Sequence, residues 1–296
     1  MKNVLSTLLA PRQQPSAARA RPWVDIDAIS VCARKSLILE LETWPKPGLV
    51  SHIDRGSHHD MNSETFRESA DAIEPYLAAL VREGAAGSKM GRLRAVGIDA
   101  ERAMLSATNG INTHRGAIFG VGLLCAAAGA RANSRVADNL TLGSIVSLLW
   151  GDDIINGPLP LNSHGGRARR KYGAGGARIE AARGFPTVYE VGLPTLRKYR
   201  ANFPDDMEAV RVQTCFALIA AVEDTNLLHR GGQRGLRHAR LAADAWLQDG
   251  GIANPRWRES AHLVHQEFIG HWLSPGGSAD LLAMTLFVDA QERPFI

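Results

Sequence analysis

With 296 residues, 45% of them hydrophobic and 22% charged, the chain is long enough to bury a sizeable core and has the composition of a globular protein. Thirty-four Lys and Arg against 30 Asp and Glu leave a net charge of +4, too small an excess to mark a nucleic-acid binder. Cys32, Cys125 and Cys215 are odd in number, widely spaced and set in apolar surroundings, which argues against a disulfide framework or a cysteine-rich zinc site and for a reducing, cytoplasmic setting.

Residues 1–23 carry Lys2, Arg12, Arg19 and Arg21 without an acidic residue and read as a flexible basic arm ahead of a single unit, residues 24–296. The apolar run Val4 to Ala10 is short for a secretory core. The longest apolar stretch of the chain is interrupted by Gly129 and Arg131, so no membrane partner is expected.

Ile29, Ala33, Leu37 and Leu41 follow helical spacing and predict a first helix over Asp25 to Glu42, stopped by Pro45 and Pro47. Glu40 shares its buried stripe, where a carboxylate must be paired, hydrogen-bonded or metal-bound. The proline-fixed loop Trp44 to Val50 then offers Lys46. In Gly56 to Met61 the run His58-His59-Asp60 brings together residue types that ligate metals or move protons. Asp60 or Asn62 also suits the cap of a helix predicted from Ser63 to Val81.

A connection from Gly84 to Gly91 leads to a short helix, Gly97 to Thr108, whose Glu101 lies on the face of Ile98, Met104 and Leu105 as a second inward carboxylate. Thr108 to Gly116 then heads the most apolar helix of the chain. Ala117 to Gly129 is uncharged, as in a helix buried all round, and Gly116, Gly120, Ala126 and Ala127 admit close neighbours. The start of such a helix presents unpaired N–H groups and a partial positive charge, so Asn112, Thr113, His114 and Arg115 stand where an anion would be held. Asn112 or Thr113 taken alone serves equally as an N-cap.

Val136 to Trp150 is another apolar segment, ended by Gly151-Asp152-Asp153. His164 to Gly176 mixes glycines with a basic run that includes Arg170 and Lys171, suited to phosphate oxygens although not a Walker A sequence; its bland reading is a solvated mobile loop. Short helices are expected at Ala177 to Arg183 and at Val188 to Tyr199, the latter broken by Pro194. Asp205 to Val222 reads as an amphipathic helix capped by Asp205. Asp224 follows as the third inward carboxylate, with Asn226, His229 and Arg230 ahead of a double-glycine break. Helices over Leu236 to Gln248 and Arg256 to Trp272, a turn at Ser274 to Asp280 and a last apolar helix, Leu281 to Val288, complete the chain. With no hairpin or strand-helix alternation, the fold class is all-α, one compact bundle-like domain of roughly ten helices.

These features describe a helical cleft with inward carboxylates, several histidines and two loops suited to phosphate, hence a metal-dependent enzyme acting on a polyphosphate or nucleotide. Two other readings stay open. His58-His59-Asp60 with Asp224 suits an all-α metal-dependent phosphohydrolase, and the basic loop suits a helical adaptor for an acidic protein.

Pro45 to Val50, Gly56 to Met61, Asn109 to Phe119, Asp224 to Gly232 and Ser274 to Leu282 together resemble the triphosphoribosyl-dephospho-CoA synthase family, in the family's order and over nearly the whole chain after the arm. Thr43-Trp44 and the stretch Gly97 to Gly129 are more similar to its malonate decarboxylase branch than to its citrate lyase branch. The resemblance implies that ATP is a co-substrate, that its triphosphoribosyl group moves to the 2'-hydroxyl of 3'-dephospho-CoA, and that adenine leaves. The product would pass to a transferase that modifies an acyl carrier subunit; Mg²⁺ is expected and a homodimer is compatible.

For that reaction Glu101 and Asp224 are the candidates for base or oxocarbenium stabiliser, and Asp60 and Glu40 for holding Mg²⁺. Lys46, His114, Arg115, Arg170, Lys171 and Arg230 are the phosphate candidates. Asn112, Thr113 and Asn226 are placed to orient ribose or base.

Overall fold

The computed structural model describes residues 25–158, 166 and 170–292. The basic arm and most of the glycine-rich loop, His164, Gly165, Arg167 and Arg169 included, lie outside the described residues. Among those described there is no strand, in agreement with the all-α expectation. The helices are α1 (Ile26–Leu41), α2 (Ser63–Ala86), α3 (Met90–Ala107), α4 (Arg115–Ala132), α5 (Leu142–Asn156) and α6 (Gly176–Ala182). After a π-helical turn, Val188–Gly192, come α7 (Leu193–Asn202), α8 (Met207–Ala221), α9 (Thr225–Gln248), α10 (Trp257–Gly270) and α11 (Gly276–Gln291).

Side-chain caps set several of the starts by satisfying N–H groups that have no partner within the helix. Asp25 caps α1, and Asn62 forms a capping box with Thr65 at α2. Asp206 rather than Asp205 caps α8, and Asp224 caps α9. Several boundaries differ from the sequence reading, among them the start of α3 at Met90 rather than Gly97 and of α11 at Gly276 rather than Leu281. Helix α2 runs through Gly84 because that glycine lies against the Ala126 carbonyl of α4, so it serves packing rather than a break. Helix α5 runs through Gly151-Asp152-Asp153, since both aspartates face outward while Trp150 and Ile154 keep its buried stripe. Pro194 falls in the first turn of α7, where its missing N–H removes no helical bond. The double glycine is a kink within α9, with Gly232 at φ 60°, ψ −160°.

Helix α4 is the centre of the fold. It packs most extensively on α2, and also on α11, α5, α3 and α1. From Ala117 to Ala130 every residue except Phe119 is buried. Its contact with α2 is reciprocal: a methyl on Gly84 would collide with the Ala126 carbonyl, and one on Gly129 with the Val81 carbonyl. On another face Gly116 and Gly120 lie under Asp280 and Met284, one turn apart on α11. Helix α4 is long and apolar enough to cross a membrane by length and composition, which the sequence reading denied; here 72% of it is buried inside the fold. Each fully buried Leu on it, such as Leu124, contributes about 1.5–3 kcal/mol of transfer free energy.

Candidate active site

A cavity of about 1080 Å³ opens where α1, α3, α4, α6, α9 and α11 converge. Its floor is acidic, with Glu40, Asp224 and Asp280, whereas Arg94, Arg115, Arg178, Arg183 and Arg230 reach it from other segments of the wall. Phe66, Phe119, Ile118 and Met284 supply apolar wall between the two.

The three floor carboxylates differ in what they have left to offer. Asp224 Oδ1 accepts the backbone N–H groups of Asn226 and Leu227, at 2.8 and 3.3 Å. Its Oδ2 accepts the Ser278 N–H and hydroxyl, at 2.8 and 3.1 Å. Four donors fill the four lone-pair directions of a carboxylate, so the side chain that clamps α9 to α11 has no acceptor for a substrate proton. Asp224, a candidate for base or oxocarbenium stabiliser, thus lies at the cavity floor with its carboxylate committed to backbone and Ser278 donors. Burial pushes its pKa up against the opposing pull of those donors.

Glu40 is buried and carries Lys46, whose ammonium reaches both the Glu40 carboxylate and, at 2.7 Å, its carbonyl oxygen. Lys46 is fully buried because the proline loop folds back over the end of α1, with a cis peptide before Pro45. The structure thus places this phosphate candidate against Glu40, which takes up its charge. The same contact weakens Glu40 as a metal ligand, because an ammonium already occupies it. Burial pushes the Glu40 pKa up, and Lys46 opposes that.

Asp280 was read from the sequence only as the end of a turn, yet among the described residues it is the floor carboxylate with neither a full set of donors nor a cationic partner. It accepts a hydrogen bond from the Ala117 N–H, in the first turn of α4. A methyl on Gly116 would collide with its Oδ2, so the glycine makes room for the carboxylate. The acceptor that the Ala117 N–H meets at the head of the buried helix is thus the protein's own carboxyl group. Burial, followed by the negative charges of Glu40 and Asp224, pushes the Asp280 pKa well above the usual carboxylate range. A glycine that must stay small beneath a turn aspartate is a signal visible only once α4 and α11 are known to touch.

Around the head of α4 the remaining residues hold one another. Buried His114 places Nδ1 2.7 Å from Ser69 Oγ, which also accepts the Thr113 hydroxyl at 2.7 Å. Burial, then the Lys46 charge, pushes the His114 pKa down to about 3, so the ring is neutral at ordinary pH. Asn112 Oδ1 accepts the Arg115 N–H at 3.2 Å, although the N-cap position of α4 is His114 rather than Asn112 or Thr113. Glu101 and Arg115 meet at 2.9 Å, both about a third exposed, so the second carboxylate faces the cavity at its rim rather than its floor.

On the opposite wall, His58 Nε2 lies 2.9 Å from Ser274 Oγ, and Arg230 approaches the same ring at 3.2 Å. Burial, then Arg230, pushes the His58 pKa down to about 4. Arg230 also donates to the carbonyls of Ser57 and Trp272, tying α9 to both loops. Asp60 lies 3.7 Å from His58 Nδ1 with 62% of its side chain exposed, and His59 packs edge-on against Trp272. Asn226 lines the cavity. Arg170 and Lys171 are exposed and are not among the described residues that wall it. The proline loop is fixed from behind by α10, where His265 Nδ1 lies 2.6 Å from the Lys46 carbonyl and Nε2 3.1 Å from Asp54. Burial raises the Asp54 pKa, but the hydrogen bond and charge of His265, with donors from Gly56 and Trp44, outweigh it and bring the carboxyl to about 2.

An acidic floor, an arginine-bearing wall and apolar panels make a polar cleft of a size and charge layout that suits a nucleotide. The family described as CitG, ATP:dephospho-CoA triphosphoribosyl transferase, matches residues 26–295, and the chain belongs to that family. It is 36% identical over 294 residues to a protein of Stutzerimonas stutzeri, covering 96% of each chain, and that protein is named "Probable 2-(5''-triphosphoribosyl)-3'-dephosphocoenzyme-A synthase". Proteins with the same name from Acinetobacter calcoaceticus and Azotobacter vinelandii are 35% and 38% identical, covering 90% and 87% of this chain and 92% and 89% of theirs. No solved structure matches.

Proposed function

We propose that the chain joins the triphosphoribosyl group of ATP to the 2'-hydroxyl of 3'-dephospho-CoA and releases adenine. The observation that carries this reading is the family match over residues 26–295, which takes in every wall of the cavity. The charge layout supports it. In the reaction the hydroxyl oxygen bonds to C1' of the ATP ribose while the C1'–N9 bond breaks and its electron pair leaves with adenine. Positive charge builds on the ribose, and an acidic floor stabilises it. The triphosphate suits the arginines of the wall other than Arg178, whose guanidinium is held by the carbonyls that end α5.

Asp280 is the residue we assign to that cation and to the proton of the incoming hydroxyl, because Asp224 is filled by four donors and Glu40 is paired with the Lys46 ammonium, whereas Asp280 meets the Ala117 N–H and no cation among the described residues. Adenine takes a proton as it leaves, so the overall step needs no oxidant or reductant. Glu101 and Arg115 are placed to steer the phosphates or the second nucleotide. Arg230, His58 and Ser274 hold the far wall.

Mg²⁺ fits as an ion carried by the triphosphate, with one or two carboxylates such as Asp280 or Asp60 completing an oxygen shell. Among the described residues no three metal-binding side chains converge in the cavity, which is the pattern expected when phosphates supply most ligands. The ion would offset phosphate charge. We further assign the product to the malonate decarboxylase pathway, on Thr43-Trp44 and Gly97 to Gly129, with a cytoplasmic acyl-carrier-modifying transferase as its consumer.

The test is to incubate the purified protein with ATP, Mg²⁺ and dephospho-CoA and identify both products by mass. Free adenine and the triphosphoribosyl adduct are expected. Inorganic phosphate without adenine would replace this reading with a phosphohydrolase, and no nucleotide affinity would leave a helical adaptor. Whether the downstream transferase loads a malonate decarboxylase or a citrate lyase acyl carrier with the product decides the branch.

A further inference from the structure

Away from the cavity, α9 and α10 bring three side chains of metal-ligating type together. His238 lies on α9 beyond the kink at Gly232. Glu267 and His271 lie one turn apart at the end of α10, where the His271 N–H closes a helical bond on the Glu267 carbonyl at 3.1 Å. One ligand atom from each of the three lies within 4.8 Å of the others, and no other such group occurs among the described residues.

Two observations point to an ion rather than an incidental cluster. His238 Nε2 is shielded from solvent and, though ion-paired with Glu267, is not aligned for a hydrogen bond. It nevertheless stands 3.1 Å from Glu267 Oε1, close to the edge of about 3.3 Å between two ligands on a tetrahedral zinc. The His238 and His271 rings are 4.8 Å apart at an interplanar angle of 61°, so they do not stack. All three side chains keep contact with solvent, which gives an ion an entry path and leaves a coordination position for water.

We propose that His238, Glu267 and His271 form a second site, for a zinc-class dication, that pins α9 to α10. Two imidazoles and one carboxylate select a borderline first-row ion over Mg²⁺, which prefers oxygen donors. The site stands on residues that the proposed transfer reaction does not use. Its position gives it a consequence for the cavity. His271 is followed directly by Trp272, Leu273 and Ser274, the strand of chain that receives Arg230 and reaches His58. An ion there holds the start of that segment without touching substrate.

The experiment uses the full chain after chelator treatment, titrated with Zn²⁺ by calorimetry and with Co²⁺ by visible absorption. One stoichiometric Zn²⁺ site is expected, with a Co²⁺ spectrum of the intensity that four- or five-coordinate ions give and no competition from millimolar Mg²⁺. His238→Gln, Glu267→Gln and His271→Gln should each weaken Zn²⁺ at least tenfold with an unchanged helical circular dichroism spectrum, while His58→Gln leaves it intact. Absence of a stoichiometric site in the wild-type chain, or binding that the three substitutions leave unaltered, overturns the proposal. Because the readout is metal binding, a failed transfer assay would leave this result standing, and a failed titration would leave the reaction standing.

Discussion

Asp224 and Asp280 sit at the same floor, both enclosed and both near a helix start, yet they are spent in opposite ways. Asp224 takes four hydrogen bonds from α9 and α11 and joins the two helices. Asp280 takes a backbone hydrogen bond at the head of α4, faces two like charges and keeps its remaining lone pairs for the cavity. A buried carboxylate that is saturated is part of the scaffold. One that is enclosed but undersupplied raises the energy of the empty site, and that energy is recovered when positive charge arrives. Burial alone therefore does not separate structural from chemical carboxylates; donors and cationic partners taken together do.

The largest expected effect is that of Asp280→Asn. It should lower adenine release by about 10²–10⁴-fold, the span for removing a positioned acid-base group. Stability should move the other way. With a folded pKa raised above 3.8, Asp280 binds more protons in the folded than in the unfolded chain, so it costs stability as pH rises through its folded value. The midpoint of the Asn variant relative to wild type should therefore climb with pH from about 4 upward, read by thermal denaturation. A variant that keeps full activity would remove Asp280 from the chemistry and break the contrast with Asp224.

Next in size is Lys46→Met, which strands the Glu40 carboxylate in the core. Removing one partner of a buried pair costs about 3–5 kcal/mol, and Glu40→Gln in the same chain should restore much of it. Urea denaturation of the two single variants and the double gives the coupling. If Lys46→Met instead leaves stability alone and raises only the Michaelis constant for ATP, the ammonium meets phosphate after all.

The Lys46 result bears on what the sequence could say. Helical periodicity located α1, α4 and α8 because their buried stripes are made of long apolar runs, and it put Glu40 on the inside correctly. It could not find Lys46 as the partner of Glu40, because the pairing depends on a loop folding back over the end of α1. It likewise missed Asp280, whose role rests on Gly116 being under it, a contact between residues 164 positions apart in the chain. Glycines misled it twice in the same way: Gly84 and Gly151 lie within helices as packing surfaces, although local sequence marks them as breaks. Local patterns record burial and caps well; they do not record which polar groups meet across elements.

Asp224→Ala comes third. Losing the cap and the Ser278 contacts should destabilise the fold by about 1–3 kcal/mol, since two sets of buried donors lose their acceptor. Activity per folded molecule should fall less than for Asp280→Asn. The opposite ranking, with Asp224→Ala inactive and fully stable, would reverse the assignment of scaffold and chemistry at this floor.

The smallest effect is expected where the cavity meets solvent. Glu101 and Arg115 pair at 2.9 Å with side chains 35% and 40% exposed. Water screens such a pair, so breaking it should change stability by no more than about 1 kcal/mol. Glu101→Gln should accordingly leave the thermal midpoint and the rate at saturating substrate close to wild type. Arg115→Ala should raise the Michaelis constant of one nucleotide several-fold while leaving the turnover number within about threefold, as for a group that binds ground and transition states alike. Steady-state kinetics varying ATP and dephospho-CoA in turn identifies which nucleotide this rim faces. A large fall in turnover with Glu101→Gln would move the proton transfer from the floor to the rim, and Asp280 would then be left to stabilise the ribosyl cation alone.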